Sequence, residues 1–338
     1  MAPLRWGIVG TGKISQDFAN AVETLPPADH ELYAVAASDA KKAAEFAKTY
    51  TIPKSYGSYA ELAKDPEVGV AYIGTINTNH FELCKLFLEN GKHVLCEKPL
   101  TLLLEHTQEL VKLAREKKLF FQEAVWSRFF PAYIKLREEV KAGTLGDLKL
   151  ITVNFGVKIA EVERIFKKEL GGGSLMDIGI YVLQFTVAVF GSEMPQTIKA
   201  VGVLNEEGCD LATGITLQYK DGRIAQLTTN TFTETTCDAN VFGTKGSIKV
   251  PKPFWAPEEI ILNGESLKFP LPGKAKRPFV YGNSEGLAYE AAEVKRCIDN
   301  GLLESPLMTQ EETITLARLE DEVKKQIGVS YDELYKKK

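Results

Sequence analysis

Three short stretches of this 338-residue chain carry residue types that do chemistry. In HVLCEKPL (93–100) the apolar run Val94 to Cys96 gives way at once to Glu97, Lys98 and Pro99. Charges at the mouth of a buried strand are costly unless something there uses them. Pro99 keeps Lys98 out of helical geometry, so its ammonium is expected on a defined backbone. A cis Lys98–Pro99 bond fits these letters, and so does a plain surface lysine. In GGGSLMDIGIYVLQF (171–185) Asp177, Gly179 and Tyr181 form D-x-G-x-Y, and on one helix Asp177 and Tyr181 share a face. Alone, that pair also fits an N-cap aspartate and a core tyrosine. With Lys98 it fits oxidation of an alcohol, which needs a hydride acceptor and a base for the hydroxyl proton. A phenol titrates at about 10, too high for a base at neutral pH, and a nearby ammonium favours the phenolate. The expectation is Tyr181 as base, Lys98 as its electrostatic activator and Asp177 as an orienting acceptor for substrate hydroxyls. It requires Lys98 and Tyr181 to meet over the redox-active ring.

The third stretch supplies the hydride acceptor. Gly10-Thr11-Gly12-Lys13-Ile14-Ser15 follows the first apolar run and opens the first helical one, giving G-x-G-x-x-S. Gly10 permits a tight turn, Gly12 lets backbone approach a pyrophosphate, and Ser15 is small enough for helix to pack on strand. A glycine turn without a ligand is the bland alternative. The tip of the second strand selects the dinucleotide. Ala37 stands where an NAD-selecting carboxylate would be, while Ser38 and Lys42 suit a 2′-phosphate, so NADP is expected. Asp39 is close enough to serve a ribose after a small loop shift, which would favour NAD.

The elements that must position these residues follow from periodicity. LRWGIVG (4–10), ELYAVAA (31–37), GVAYIGT (69–75), HVLCE (93–97) and LFFQEAV (119–125) read as short buried strands. Helical spacing over 14–25, 41–50, 59–65, 80–90 and 104–118 separates them. That alternation predicts an α/β fold: a doubly wound parallel sheet, the Rossmann arrangement, over residues 1–125. After Trp126 the grammar changes. A helix is expected over 131–143 and a half-exposed strand over 148–157. A hairpin is expected around Asp221-Gly222 within 212–232, then another turn and strand in 241–250 and a late helix over 310–328. Residues 126–338 are expected to form a second α/β domain with an open, largely antiparallel sheet for substrate and dimer contacts. The late helix could pack back on the first domain.

Composition narrows the class. With 44% hydrophobic residues, 25% charged residues and a formal net charge of −4, the chain reads as a soluble protein with no nucleic-acid surface. Five widely spaced cysteines without a C-x-x-C pair form neither a disulfide framework nor a zinc site and suit a reducing compartment. No metal site is expected. The opening run is too short for a signal peptide, and no window looks long enough to span a membrane, so a cytoplasmic protein is expected.

GIVGTG (7–12), GKHVLCEKPLT (91–101) and GGGSLMDIGIYVLQF together resemble the glucose-fructose oxidoreductase / inositol dehydrogenase superfamily. IPKSYGSYAELAKDP (52–66), EAVWSRFFPA (123–132), GTLGDL (143–148), FGTKG (242–246) and GLAYEA (286–291) make the chain similar to its dimeric dihydrodiol dehydrogenase branch. The resemblance implies a Rossmann domain, a second α/β domain and a homodimer through the open sheets. It implies oxidation of trans-dihydrodiols or pyranose sugars such as D-xylose, with NADP as acceptor. It carries catalytic roles to Lys98 and Tyr181, with Asp177 nearby. It puts Thr75, Asn77, His80 and Glu97 beside the cofactor, Trp126 and Arg128 along the site, and Tyr281 at the substrate. His80 could instead accept the proton, or be a helix-start histidine held by backbone, and Trp126 could be a core residue. The sequence departs from the branch at Ser38, Lys149, Val203, Leu204 and Tyr281. Carbonyl reduction by the same residues is the alternative within enzymes. A non-catalytic NADP sensor is the alternative outside them, and the joint presence of Lys98, Asp177 and Tyr181 argues against it.

Overall fold

The computed structural model describes residues 2–273 and 275–336. Two compact units divide the chain. The first comprises the chain up to Leu100, Glu105–Phe129 and Leu271–Gln310; the second comprises Thr101–Leu104, Phe130–Pro270 and the chain from Glu311.

In the first unit strands β1 (Leu4–Val9), β2 (His30–Ala36), β3 (Lys54–Tyr56), β4 (Val70–Ile73), β5 (His93–Glu97) and β6 (Phe121–Ala124) form one sheet in the order β3-β2-β1-β4-β5-β6. Every pairing is parallel. Both faces of such a sheet are covered, and so β4 and β6 are buried at every position, β4 with continuous apolar lettering and β6 with Gln122 and Glu123 among its buried residues. Helices α1 (Lys13–Val22), α2 (Ala40–Tyr50), α3 (Tyr59–Lys64), α4 (His80–Glu89) and α5 (Leu104–Lys117) connect the strands. Helix α4 stops at Asn90, and Gly91 follows at φ +74°, a backbone geometry that glycine takes without strain.

The second unit opens with α6 (Pro131–Lys141), whose proline occupies the first turn. Strand β7 (Leu148–Gly156) follows, then the short helix α7 (Glu163–Phe166), a π-helical turn over Leu175–Gly179 and α8 (Ile180–Phe190). Strands β8 (Thr197–Leu204), β9 (Asp210–Gln218), β10 (Ile224–Asn230), β11 (Ala239–Gly243), β12 (Ser247–Val250), β13 (Glu259–Leu262) and β14 (Glu265–Lys268) complete an eight-stranded sheet. Its order is β14-β13-β12-β11-β7-β10-β9-β8. All pairings are antiparallel except β7 with β10. The expected hairpin at Asp221-Gly222 joins β9 to β10, with Gly222 at φ +85°.

Two further helices are α9 (Leu287–Asp299) and α10 (Gln310–Ile327). The compact units differ from a division at residue 125 because α9 and the chain before it belong to the first unit. A buried carboxylate ties that segment to α1. Asp17 on α1 is 1% exposed; its Oδ1 accepts from Val280 N (2.7 Å) and its Oδ2 from Tyr281 N (2.9 Å) and Ser284 Oγ (2.7 Å). From Glu311 onward the chain belongs to the second unit, where Lys324 Nζ donates to Leu102 O.

Another expectation needs correction. The stretch Lys168–Phe190 is long and apolar enough to cross a membrane by length and composition, but 89% of its window is buried inside the protein as core. All five cysteines are buried and free.

Replacing Asp17 by Ala removes three hydrogen bonds to one buried carboxylate and leaves two backbone N–H groups unpaired. The expected cost is about 2–4 kcal/mol in urea unfolding. An unchanged urea midpoint would contradict the role given to this side chain.

Candidate active site

The carboxyl edge of the parallel sheet gathers most of the expected binding residues, because side chains there leave the ends of β1, β2, β4, β5 and β6. Gly10 has φ +93°, and a Cβ there would lie 3.0 Å from Gly74 O and from Thr75 Cγ2. At Gly12 an added Cβ would meet protein no nearer than 3.7 Å, so packing does not demand that glycine. What it leaves is open approach to the first turn of α1, whose N-terminus has no side-chain cap. Backbone N–H groups of Lys13 and Ile14 begin that helix, with Thr11 in the turn before it. Ser15 is buried and donates to Gly74 O at 3.2 Å, pinning helix to strand end where a glycine could only pack. These features fit a dinucleotide pyrophosphate.

At the tip of β2, Ser38 and Lys42 are exposed. Asp39 is the N-cap of α2, with Oδ1 accepting from Lys41 N at 2.8 Å and Lys42 N at 3.4 Å. Its carboxylate is therefore engaged locally, a commitment that spacing alone did not reveal.

Two loops at the ends of β4 and β5 are tied by one ring. His80 is 0% exposed; Nδ1 lies 2.9 Å from Pro99 O and Nε2 lies 3.2 Å from Thr75 O. Burial holds its pKa below the ordinary imidazole value, against the backbone carbonyls that favour its charged form. Asn77 lies in the 3-10 turn Asn77–Asn79 just before it. The Lys98–Pro99 peptide is cis. Glu97 is buried and accepts from Tyr72 Oη at 2.6 Å. Burial raises its pKa, while the Tyr72 hydroxyl and the Lys98 charge pull the other way. Lys98 itself is half-buried. Trp126 and Arg128 share the 3-10 segment Trp126–Phe129 after β6; both are buried, and Arg128 Nη1 donates to Leu307 O at 3.4 Å. Tyr281 is 41% exposed and held through its backbone by Asp17.

Asp177 and Tyr181 belong to the second unit. They do not lie on one regular helix, as the four-residue spacing suggests: Asp177 is in the π turn and Tyr181 in the first turn of α8. Single π turns recur at functional sites because they re-aim side chains. The turn is entered through Gly172, where a Cβ would stand 2.5 Å from Ile165 O, and Gly173, at φ +124°. Asp210 anchors this entrance: its Oδ2 accepts from Ser174 Oγ (2.6 Å), Leu175 N (2.8 Å) and Thr213 Oγ1 (3.0 Å). Tyr181 is 7% exposed, its ring 5.8 Å from that of Phe155, which stacks on Trp255 at 4.1 Å.

Sequence reasoning missed Arg164, whose Nη1 is paired with Asp177 Oδ1. It sits on α7, a four-residue helix with no periodicity to flag it. Phe155, Trp255 and Asp210 were equally silent, each a single letter inside a strand or loop. Lys149 pairs with Asp147 at 3.6 Å, and Val203 and Leu204 are exposed on β8.

A parallel sheet with a glycine turn after its first strand, joined to a unit carrying an aspartate–tyrosine pair, defines a two-part oxidoreductase that uses a nicotinamide dinucleotide. The chain belongs to the GFO/IDH/MocA oxidoreductase family. Residues 4–125 match the oxidoreductase family described by its NAD-binding Rossmann fold, and residues 133–249 match the GFO/IDH/MocA C-terminal domain. Trans-1,2-dihydrobenzene-1,2-diol dehydrogenase of Sus scrofa is 45% identical over 328 residues, covering 97% of this chain and 98% of that protein. The enzyme of that name from Xenopus tropicalis is 44% identical over 327 residues, covering 97% and 99%. Among solved structures, a levoglucosan dehydrogenase in complex with NADH and L-sorbose has a TM-score of 0.86 at 18% identity, covering 97% of each chain. A 3-ketoreductase from Actinomadura kijaniata in complex with NADP has a TM-score of 0.81 at 22% identity, covering 96% of this chain and 98% of that one. The superfamily resemblance read from the motifs and the two-sheet architecture are both borne out.

Proposed function

We propose that the protein is an NADP-dependent dehydrogenase that oxidises a vicinal trans-diol, such as an aromatic trans-dihydrodiol, or a pyranose sugar such as D-xylose. The observation that carries this reading is near-full-length likeness, at about 44% identity, to relatives named for diol oxidation. The chain also keeps the lysine, aspartate and tyrosine that such a reaction needs. When bound, the nicotinamide supplies the hydride acceptor. The first turn of α1 and the glycines before it hold the pyrophosphate. Ser38 and Lys42 hold a 2′-phosphate, a reading favoured by the engagement of Asp39 as a helix cap. Tyr181 takes the proton of the reacting hydroxyl, and Lys98 supplies the positive charge that favours its phenolate. Asp177, steadied by Arg164, accepts from the neighbouring hydroxyl and so selects substrates with two adjacent ones. Glu97, Thr75, Asn77, His80, Trp126 and Arg128 shape the cofactor side, and Tyr281 contributes to the substrate side.

The open face of the second sheet supports a homodimer. By register, Phe242, Leu150, Ile224, Gln218 and Thr197 stand in one row, which puts Val201 and Val203 on the same face as Phe242. Val201 is 76% exposed, Val203 55% and Phe242 41%, apolar side chains on one open sheet face that a second copy would cover.

Four measurements test this reading. Tyr181→Phe should lower kcat by roughly 10²–10⁴-fold with NADPH binding retained, and Lys98→Met should move the rise of kcat/KM to higher pH. Wild-type turnover in Tyr181→Phe, together with its abolition in His80→Ala, would move the proton acceptor to His80. The KM for NADP should lie at least about tenfold below that for NAD, the discrimination of a contact worth roughly 1.4 kcal/mol; a clear NAD preference defeats the 2′-phosphate assignment. Val201→Glu combined with Val203→Glu should convert a dimer to a monomer in sedimentation, and a wild-type protein that sediments as a monomer ends the dimer proposal.

A further inference from the structure

Helix α9 lays the buried residues Leu287, Ala291, Val294 and Cys297 along one face, and Glu290 stands inside that stripe. It is 0% exposed, and neither of its carboxyl oxygens has a hydrogen-bond partner among the described residues. The charge that acts on it is another acid, Glu97, whose own oxygen is held by Tyr72. On the same sheet face Gln122 is buried with both amide atoms unpaired.

Among the described residues no cation answers Glu290. On α9, Lys295 is committed to Asp299 at 2.7 Å and Arg296 to Glu293 at 2.6 Å. From α1 the facing ionisable group is Asp17, already satisfied by three donors. From the segment after β6 it is the buried Arg128, bound to Leu307 O, and from β6 it is Glu123, which accepts from Leu100 N. From the turn before α9 it is Glu285. From β4 and β5 come Tyr72 and Glu97. Lys98 favours the charged form of Glu97, and only burial and Glu97 act on Glu290, both against its ionisation. Two carboxylates buried together do not both ionise, and the one with fewer donors keeps the proton.

We propose that Glu290 is a positioning residue that stays a neutral acid in the folded protein, so that Lys98 is backed by one carboxylate, that of Glu97, and not by two. The kinetic half of this proposal rests on the reading of Lys98 as activator of Tyr181; the protonation half does not. Glu290→Gln is neutral at every pH. A carboxyl that binds its proton more tightly when folded stabilises fully below its unfolded pKa, and that stability is lost as pH rises toward its folded one. Between pH 5 and pH 9 the melting temperature of the wild type should therefore fall relative to Glu290→Gln by roughly 3–10 °C. The change should shrink when both proteins also carry Glu97→Gln, because the like charge is gone. In the NADP-linked oxidation of a dihydrodiol or D-xylose, Glu290→Gln should hold its kcat/KM to higher pH than the wild type. A melting difference that is independent of pH, or that turns against Glu290→Gln as pH rises, overturns the protonation. A pH-dependent difference with superimposable pH–rate profiles overturns the positioning role. Unimpaired turnover by Tyr181→Phe would defeat the functional reading and leave the melting result standing.

Discussion

The imidazole of His80 reaches two backbone carbonyls that belong to different loops. One follows β4 and contains Thr75; the other is the cis turn that follows Glu97 and Lys98. A neutral ring has one N–H to give, so two carbonyls at 2.9 and 3.2 Å favour the imidazolium, while full burial disfavours it. Burial is the larger effect. The ring therefore holds one loop by a hydrogen bond and the other by packing and proximity. Everything placed at this edge of the sheet, from Asn77 to Lys98, depends on those two loops keeping their spacing.

Much of this architecture was legible because it obeys simple periods. The parallel sheet was visible in runs such as VAYI and HVLCE, which are buried on both faces and so need no alternation. The hairpin was visible in Asp221-Gly222. Strand β3, with three residues, was too short to carry a pattern, and β13 and β14, with four each, were little better. Strand β8 was hidden because Val201 and Val203 face outward, inverting the usual reading of apolar letters. Helix α9 was hidden by Glu290, a charge in its buried stripe. Of the candidate site, the glycine turn and the Lys98 and Tyr181 positions could be read from local motifs. Arg164 could not, since its partner Asp177 is thirteen positions away and no spacing rule joins them.

Buried acids recur through the molecule, and their hydrogen-bond donors rank them. Asp17 has three donors spread over both oxygens. Asp210 has three on one oxygen and none on the other, and burial still pushes its pKa up. Glu97 has one hydroxyl, the backbone N–H of Lys98 and the Lys98 charge. Glu290 has no donor among the described residues, and burial holds its pKa well above the ordinary carboxyl range. The sequence letter is an acid in all four cases; what it becomes is decided by how many donors the fold brings to it.

The return of Leu271–Gln310 to the first unit has a consequence for how the chain is made. A nascent polypeptide that has left the ribosome only as far as Phe129 holds all six parallel strands but none of the partners of Asp17. Translation at about 5–20 residues per second leaves that sheet waiting on the order of tens of seconds for α9. During that interval the carboxylate of Asp17 lacks the three donors, Val280 N, Tyr281 N and Ser284 Oγ, that hold it in the finished fold.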